Sequence, residues 1–390
     1  MKKLNSMDLQ FIKTNKQREL LEKTAQLAEE FSKRAALYDE KGLFPFENFE
    51  RLKEEGYLRL TIPKKYGGDE ISLYEFLLVQ EKIAQGDGAT ALSLGWHLAL
   101  MINLTVTEKW PDDIFTRICR EIVNENKLLN TAASEPNSGS PARGGKPETT
   151  AIKKGDNWII NGKKIFTSLA PILDYFIIPA SIEGKEDVAQ FLIPRDAKGL
   201  SIEETWNTLG MRATRSDDLI LENIEVNEDA LVEIKRNVKN SVSQGWLLHI
   251  PACYLGIAIA ARNEAVRFAK THQPSSLSHP IMDVPEVRRK VAEMDVKLLT
   301  ARTFMYHTAE KWDENKKMSH TLAPELAAVK TVATNTAVEV VDLAMRIVGA
   351  QSIYKSNPLE RYYRDVRAGL HNPPADDLTV KLLSDRAFME

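Results

Sequence analysis

The apolar period of this 390-residue chain changes twice, and that change constrains its fold more than any other feature. Between about Lys16 and Tyr38, Leu21, Ala25, Ala28 and Phe31 recur at spacings of three and four, with Leu20 and Leu27 widening the stripe. This predicts an amphipathic helix. Phe44 to Glu55 repeats the pattern and Gly56 ends it, after which Tyr57 to Pro63 reads as a short extended segment before the Tyr66-Gly67-Gly68 turn. Helices over Leu73 to Ala84 and Ala89 to Val106 follow, parted by Gly86-Asp87-Gly88. Beyond Asn130 the segment from Thr131 to Gly145 is a loop rich in glycine, serine and proline. It gives way to short runs of strand character such as Trp158-Ile-Ile, Tyr175-Phe-Ile-Ile and Asp218-Leu-Ile-Leu. With Asn161-Gly162 and Asn223 as punctuation, these runs predict a small antiparallel sheet. From about Asn240 the helical period returns over Trp246 to Thr271, Val284 to Asp313 and Thr321 to Val348, enough for a four-helix bundle with a shorter last helix. The fold class expected is α+β, with a helical domain over 1–128, a β-barrel-like domain over 129–238 and a helical bundle over 239–390.

Composition narrows the function. With 52 Lys+Arg against 55 Asp+Glu the net charge is −3, and no basic block marks a nucleic-acid surface. Two cysteines, Cys119 and Cys253, are too few for a disulfide scaffold and fit the reducing cytoplasm. The two lysines at the amino terminus precede no apolar run, so a secretory signal is not expected. The longest apolar candidate for a membrane span, Trp246 to Ala261, is interrupted by His249 and Pro251. The histidines lack metal-ligand spacing, so no metal site is expected.

Six segments in order carry a resemblance. They are Ile62-Pro63 through Gly68, Glu81 to Asp87, Ser134-Glu-Pro-Asn-Ser-Gly-Ser140, Asn161-Gly-Lys-Lys164, Leu209-Gly-Met-Arg212 through Asn223-Ile-Glu-Val226, and Gly349 through Arg361 with Arg364-Asp365. On them the chain resembles the acyl-CoA dehydrogenase flavoprotein family over essentially its full length. Taken alone, the serine-rich loop is a plain turn and Phe166 a core residue; the register of all six motifs favours a flavin site. The resemblance implies FAD between the β domain and the bundle, an acyl-CoA substrate, a homotetramer or homodimer, and an electron-transfer flavoprotein as electron acceptor. Carried over by position, Thr131, Ala133 and Ser134 face the flavin ring and its pyrimidine edge. Gly139 and Ser140 form the turn toward pyrophosphate and substrate. Phe166 and Ser168 stand near the isoalloxazine, and Gly349 and Ala350 mark the helix end that approaches a neighbouring subunit's FAD. Preorganised donors suit a reduced flavin, which gathers negative charge at that pyrimidine edge.

The sequence departs from the family pattern where the chemistry is sharpest. The basic segment that clasps the FAD diphosphate reads Thr271-His-Gln-Pro-Ser-Ser-Leu277, with His272 or Arg288 as substitutes. The glutamate that removes the substrate α proton is replaced by Pro373, and the second family position for that base by Trp246. Asp376 and Asp377 are then either the base or first-turn acids of a final helix. His97 and His371 resemble instead the histidines of the family's flavin-dependent monooxygenase branch, which would use a dissociable reduced FMN or FAD and a separate flavin reductase on a small aromatic or organosulfur substrate. His97 is equally read as a core histidine. A non-catalytic assembly protein on the same scaffold is the third reading.

Overall fold

The computed structural model describes residues 4–137, 145–235, 244–314 and 321–389. Helices come first: α1 (Ser6–Leu9), α2 (Asn15–Ser32), α3 (Ala35–Lys41), α4 (Phe46–Glu54), α5 (Leu73–Gly86), α6 (Gly88–Thr107) and α7 (Asp112–Glu125). They begin where the apolar stripe meets a cap. Thr14 accepts from the Gln17 N–H ahead of α2, and Ser72 from the Glu75 N–H ahead of α5, each within a reciprocal capping box. The single helix expected through Tyr38 is divided into α2 and α3. Tyr57–Arg59 is a 3₁₀ turn rather than extended chain, entered through Gly56 at φ 74°, and it presents the Leu58 carbonyl to His97.

The middle of the chain is a sheet ordered β6-β7-β3-β2-β4-β5-β8, with β1 beside β4. Its strands are β1 (Leu129–Thr131), β2 (Thr150–Lys154), β3 (Asn157–Thr167), β4 (Tyr175–Ile182), β5 (Val188–Pro194), β6 (Leu200–Glu203), β7 (Asp217–Asn227) and β8 (Leu231–Lys235). Most pairings are antiparallel, but β1 and β2 both run parallel to β4, so the sheet is mixed. Asn161-Gly162 is not a hairpin turn. It is a bulge inside β3, where a side chain on Gly162 would meet Thr149 Oγ1 at 2.4 Å, and Asn161 Oδ1 accepts from the Asn223 N–H of β7.

The second helical region holds α8 (His249–Thr271), α9 (Pro285–Glu314), α10 (Ala323–Val348), α11 (Pro358–Gly369) and α12 (Asp376–Met389). Helix α8 packs against α9, α10 and α11 and also against α5 and α6, which joins the two helical regions through one apolar core. Contrary to the sequence expectation, two segments are long and apolar enough to cross a membrane: Gly88–Thr107 and Gly245–Thr271. In the folded chain 72% and 89% of their apolar windows are buried, as central core helices require.

Glu81 on α5 and Arg302 on α9 form a bidentate pair at 2.7 and 2.8 Å, nearly without solvent exposure, and the Arg302 guanidinium lies 4.5 Å from the Phe11 ring. Replacing Glu81 by Leu alone is expected to cost about 3–5 kcal/mol because a buried cation loses its partner. Combining Glu81→Leu with Arg302→Met should recover most of that loss in urea denaturation.

Candidate active site

The sheet edge after β1 is fixed by side chains. Asn130 accepts from the Thr131 N–H at 2.8 Å and donates to the Ser168 carbonyl at 3.2 Å. The Ile165 N–H donates to the Ser134 carbonyl, joining this segment to β3. Glu135 is buried and receives Lys164 Nζ at 2.5 Å, Thr149 Oγ1 at 2.6 Å and the N–H groups of Glu148 and Thr149. Burial by itself would raise the Glu135 carboxyl, but these donors hold it at about 2. Lys164 is also tied to the Pro179 carbonyl at 2.7 Å, so the pair spans the segment after β1, β3 and β4.

This anchoring leaves donors available at the surface. Among the described residues, the Ala133 N–H and the Thr131 and Ser134 hydroxyls have no hydrogen-bond partner, and all three residues are half-buried. Close by in the sheet, Phe166 is 60% exposed at φ 56°, within the β3 irregularity between Lys164 and Thr167, and its ring meets Trp206 edge-on at 5.8 Å. A positive φ is costly for an aromatic residue, and here it turns the ring outward. Ser168 lies just behind, its hydroxyl 2.8 Å from that of Ser216. Free donors beside an outward aromatic face fit a flat, electron-accepting heterocycle such as a flavin. Gly139 and Ser140 lie outside the described residues.

The loop between α11 and α12 is held from below. Tyr254 donates to Asn372 Oδ1 at 2.6 Å, and Gly369 admits the Tyr254 ring, which a side chain there would meet at 2.8 Å. Lys330, almost fully buried, donates to the Leu370 carbonyl at 3.3 Å and to Asp376 Oδ1 at 3.2 Å. Asp376 is therefore a first-turn acid of α12 that accepts hydrogen bonds from Lys330 and Thr331. Asp377 is exposed on the same turn of α12. His371 stands exposed on the loop two residues before Pro373. Trp246, the other family position, is buried in a 3₁₀ turn ahead of α8.

His97 is not presented to a substrate. It is fully buried, with Nε2 3.1 Å from the Leu58 carbonyl and Nδ1 3.4 Å from main-chain atoms of Leu129. It thus ties α6 to the first residue of β1. Burial pulls its pKa from 6.5 down to about 4, so the ring is neutral. His249, unremarked by sequence reasoning as a site residue, is equally buried between Phe76 and Trp96, and burial lowers it to about 3. Gly349 lies at φ 70° at the end of α10 with open space around it, and Ala350 beside it is exposed. His272 stacks on Phe268 at 4.6 Å, and Arg288 is exposed. Sequence reasoning also missed Tyr254 and Lys330, whose positions beneath the loop carry no local signal.

Three family models match in register with this architecture: the acyl-CoA dehydrogenase N-terminal domain over residues 14–119, the middle domain over 130–224 and the C-terminal domain over 248–372. The chain belongs to the acyl-CoA dehydrogenase family. As a member it is an oxidoreductase of flavoenzyme type. It is 48% identical to the putative acyl-CoA dehydrogenase YdbM of Bacillus subtilis over 97% of this chain and 99% of that one. It is 30% identical to a 3-(aryl)acrylate reductase of Clostridium sporogenes, covering 90% and 93%. Butyryl-CoA dehydrogenase from Megasphaera elsdenii superposes with a TM-score of 0.85 at 22% identity, covering 97% and 99%. FMN-bound TdsC from Paenibacillus sp. A11-2 gives 0.84 at 24% identity, covering 93% and 95%. Both have the same fold as this acyl-CoA dehydrogenase family member.

The buried imidazole of His97 gives a pH signature. Its folded pKa lies below the ordinary value, so its contribution to stability is complete above pH 6.5 and is lost as the pH falls through 6.5 toward about 4. On that shift the loss is about 3 kcal/mol at the acid end. In denaturation curves from pH 7 to 4, His97→Gln should flatten the acid decline relative to the unaltered chain.

Proposed function

We propose that the protein is an FAD-dependent oxidoreductase acting on the CH–CH bond of an acyl thioester. The observation that carries the reading is the set of unpartnered donors at Thr131, Ala133 and Ser134, anchored by Glu135–Lys164 beside the exposed Phe166. When bound, a flavin supplies a hydride acceptor. The chain supplies the rest. Thr131, Ala133 and Ser134 would orient the pyrimidine edge, Phe166 and Ser168 would flank the ring, and His272 or Arg288 would stand in for the basic residue toward the diphosphate. On the substrate side His371 is the α-proton acceptor, because Pro373 and Trp246 cannot take a proton and Asp376 is held by Lys330. The His371 imidazole would take the α proton, and with a bound flavin as hydride acceptor the product would be the enoyl thioester. Asp377, on the first turn of α12, is the alternative acceptor.

The electrons pass on to an electron-transfer flavoprotein, and the setting is fatty acid metabolism in the cytoplasm. Exposed Leu209, Ile353 and Tyr354 support self-association as a homotetramer or homodimer. A second reading draws on the non-carboxylate residues at both base positions: reaction of reduced flavin with oxygen on a small aromatic or organosulfur substrate, fed by a flavin reductase.

Anaerobic titration of the FAD-loaded protein with acyl-CoAs of short, medium and long chain separates the two. Dehydrogenation requires bleaching of the oxidised flavin band by at least one, and His371→Gln should slow that bleaching by about 10²–10⁴-fold with the flavin spectrum intact. Absence of bleaching across the series, with product formed only from reduced flavin and oxygen, would replace the dehydrogenase reading by the second.

A further inference from the structure

Behind Phe166 the segment after Met211 brings three hydroxyls into line. Ser168 Oγ lies 2.8 Å from Ser216 Oγ, which lies 2.9 Å from Thr214 Oγ1. Thr214 Oγ1 in turn lies 2.9 Å from the Met211 carbonyl, an acceptor within its reach. The three residues are 7%, 4% and 1% exposed, so water does not compete for these bonds. The far end is fixed: Trp206 Nε1 donates to the same carbonyl at 3.0 Å, and the Met211 N–H donates to Asp365 at 2.6 Å.

A hydroxyl donates once and also accepts, so such a row has two senses. In the outward sense Thr214 donates to Ser216 and Ser216 to Ser168, which leaves the Ser168 proton for an acceptor beyond it. In the inward sense Ser168 donates to Ser216, Ser216 to Thr214 and Thr214 to the Met211 carbonyl, which leaves Ser168 as an acceptor. The inward row has one more bond than the outward row. Of the flavin ring positions, N5 makes the matching change, from acceptor when oxidised to N–H donor when reduced.

We propose that the Ser168–Ser216–Thr214 row reverses its sense with the redox state of the bound flavin, and that Ser216 and Thr214 are positioning residues that favour the reduced form through the Met211 carbonyl. Each hydroxyl rotates and keeps its own proton, so nothing within the row is oxidised, reduced or transferred. The inference rests on the flavin reading above and on Ser168 meeting the N5 side of the ring.

Removing either inner hydroxyl strands a buried donor only in the inward sense, and an unmade buried hydrogen bond is costly. Ser216→Ala and Thr214→Val are therefore expected to lower the preference for reduced over oxidised flavin about tenfold. This is a fall of about 30 mV in the two-electron midpoint potential, read by anaerobic dye equilibration of the FAD-loaded protein. Thr214→Ser keeps the hydroxyl and should restore the original potential, which a purely packing role for Thr214 would not do. A potential that is unchanged or raised in both variants, with flavin bound at full stoichiometry, overturns the inference alone. A chain that takes up no flavin overturns the flavin reading together with it.

Discussion

The ion pair of Glu135 with Lys164 is the constraint on which the site depends. A carboxylate and an ammonium withdrawn from water are tolerable only when their remaining hydrogen-bonding capacity is used. Among the described residues Glu135 takes four donors and Lys164 adds a main-chain carbonyl. The consequence is geometric. The segment from Thr131 to Ser134 is held on β4 at its first end and on β3 at its last, so its free donors need no reorganisation to meet a ligand.

A second polar junction joins the three regions of the chain. Arg364 of α11 reaches both oxygens of Asp39 on α3 and the Leu209 carbonyl before β7, while its neighbour Asp365 accepts the Met211 N–H. Burial raises Asp365 to about 7, against the pull of Arg361. The same Met211 residue ends the hydroxyl row behind Phe166, so the junction that docks α11 also fixes the sheet side of the site. From the other side, Tyr254 and Lys330 support the loop bearing His371. His97 ties α6 to β1.

The periodic features of the fold were legible in the sequence. Stripes such as Leu21 to Phe31 and the apolar runs of α8 and α10 depend on local spacing, and the six motifs placed the family. Features that depend on tertiary pairing were not. Asn161-Gly162 has the composition of a turn, yet β7 pairs across it and makes it a bulge. Asp376 and Asp377 are alike in sequence, and only Lys330, 46 residues away, distinguishes Asp376. His97 has the same chemistry as His371, and only burial separates a core link from an exposed group. The Ser168, Ser216 and Thr214 row joins residues 48 apart, with no local signal at all.

The central claim is that the anchored donors after β1 bind a flavin. The direct measurement is a fluorescence-quenching titration of the flavin-free chain with FAD and with FMN, repeated on the double variant Thr131→Val with Ser134→Ala. The account requires one flavin per chain and, with two hydrogen bonds removed at about 1 kcal/mol each, a loss of roughly tenfold or more in affinity. No saturable binding, or a double variant that binds as tightly as the unaltered chain, would contradict it.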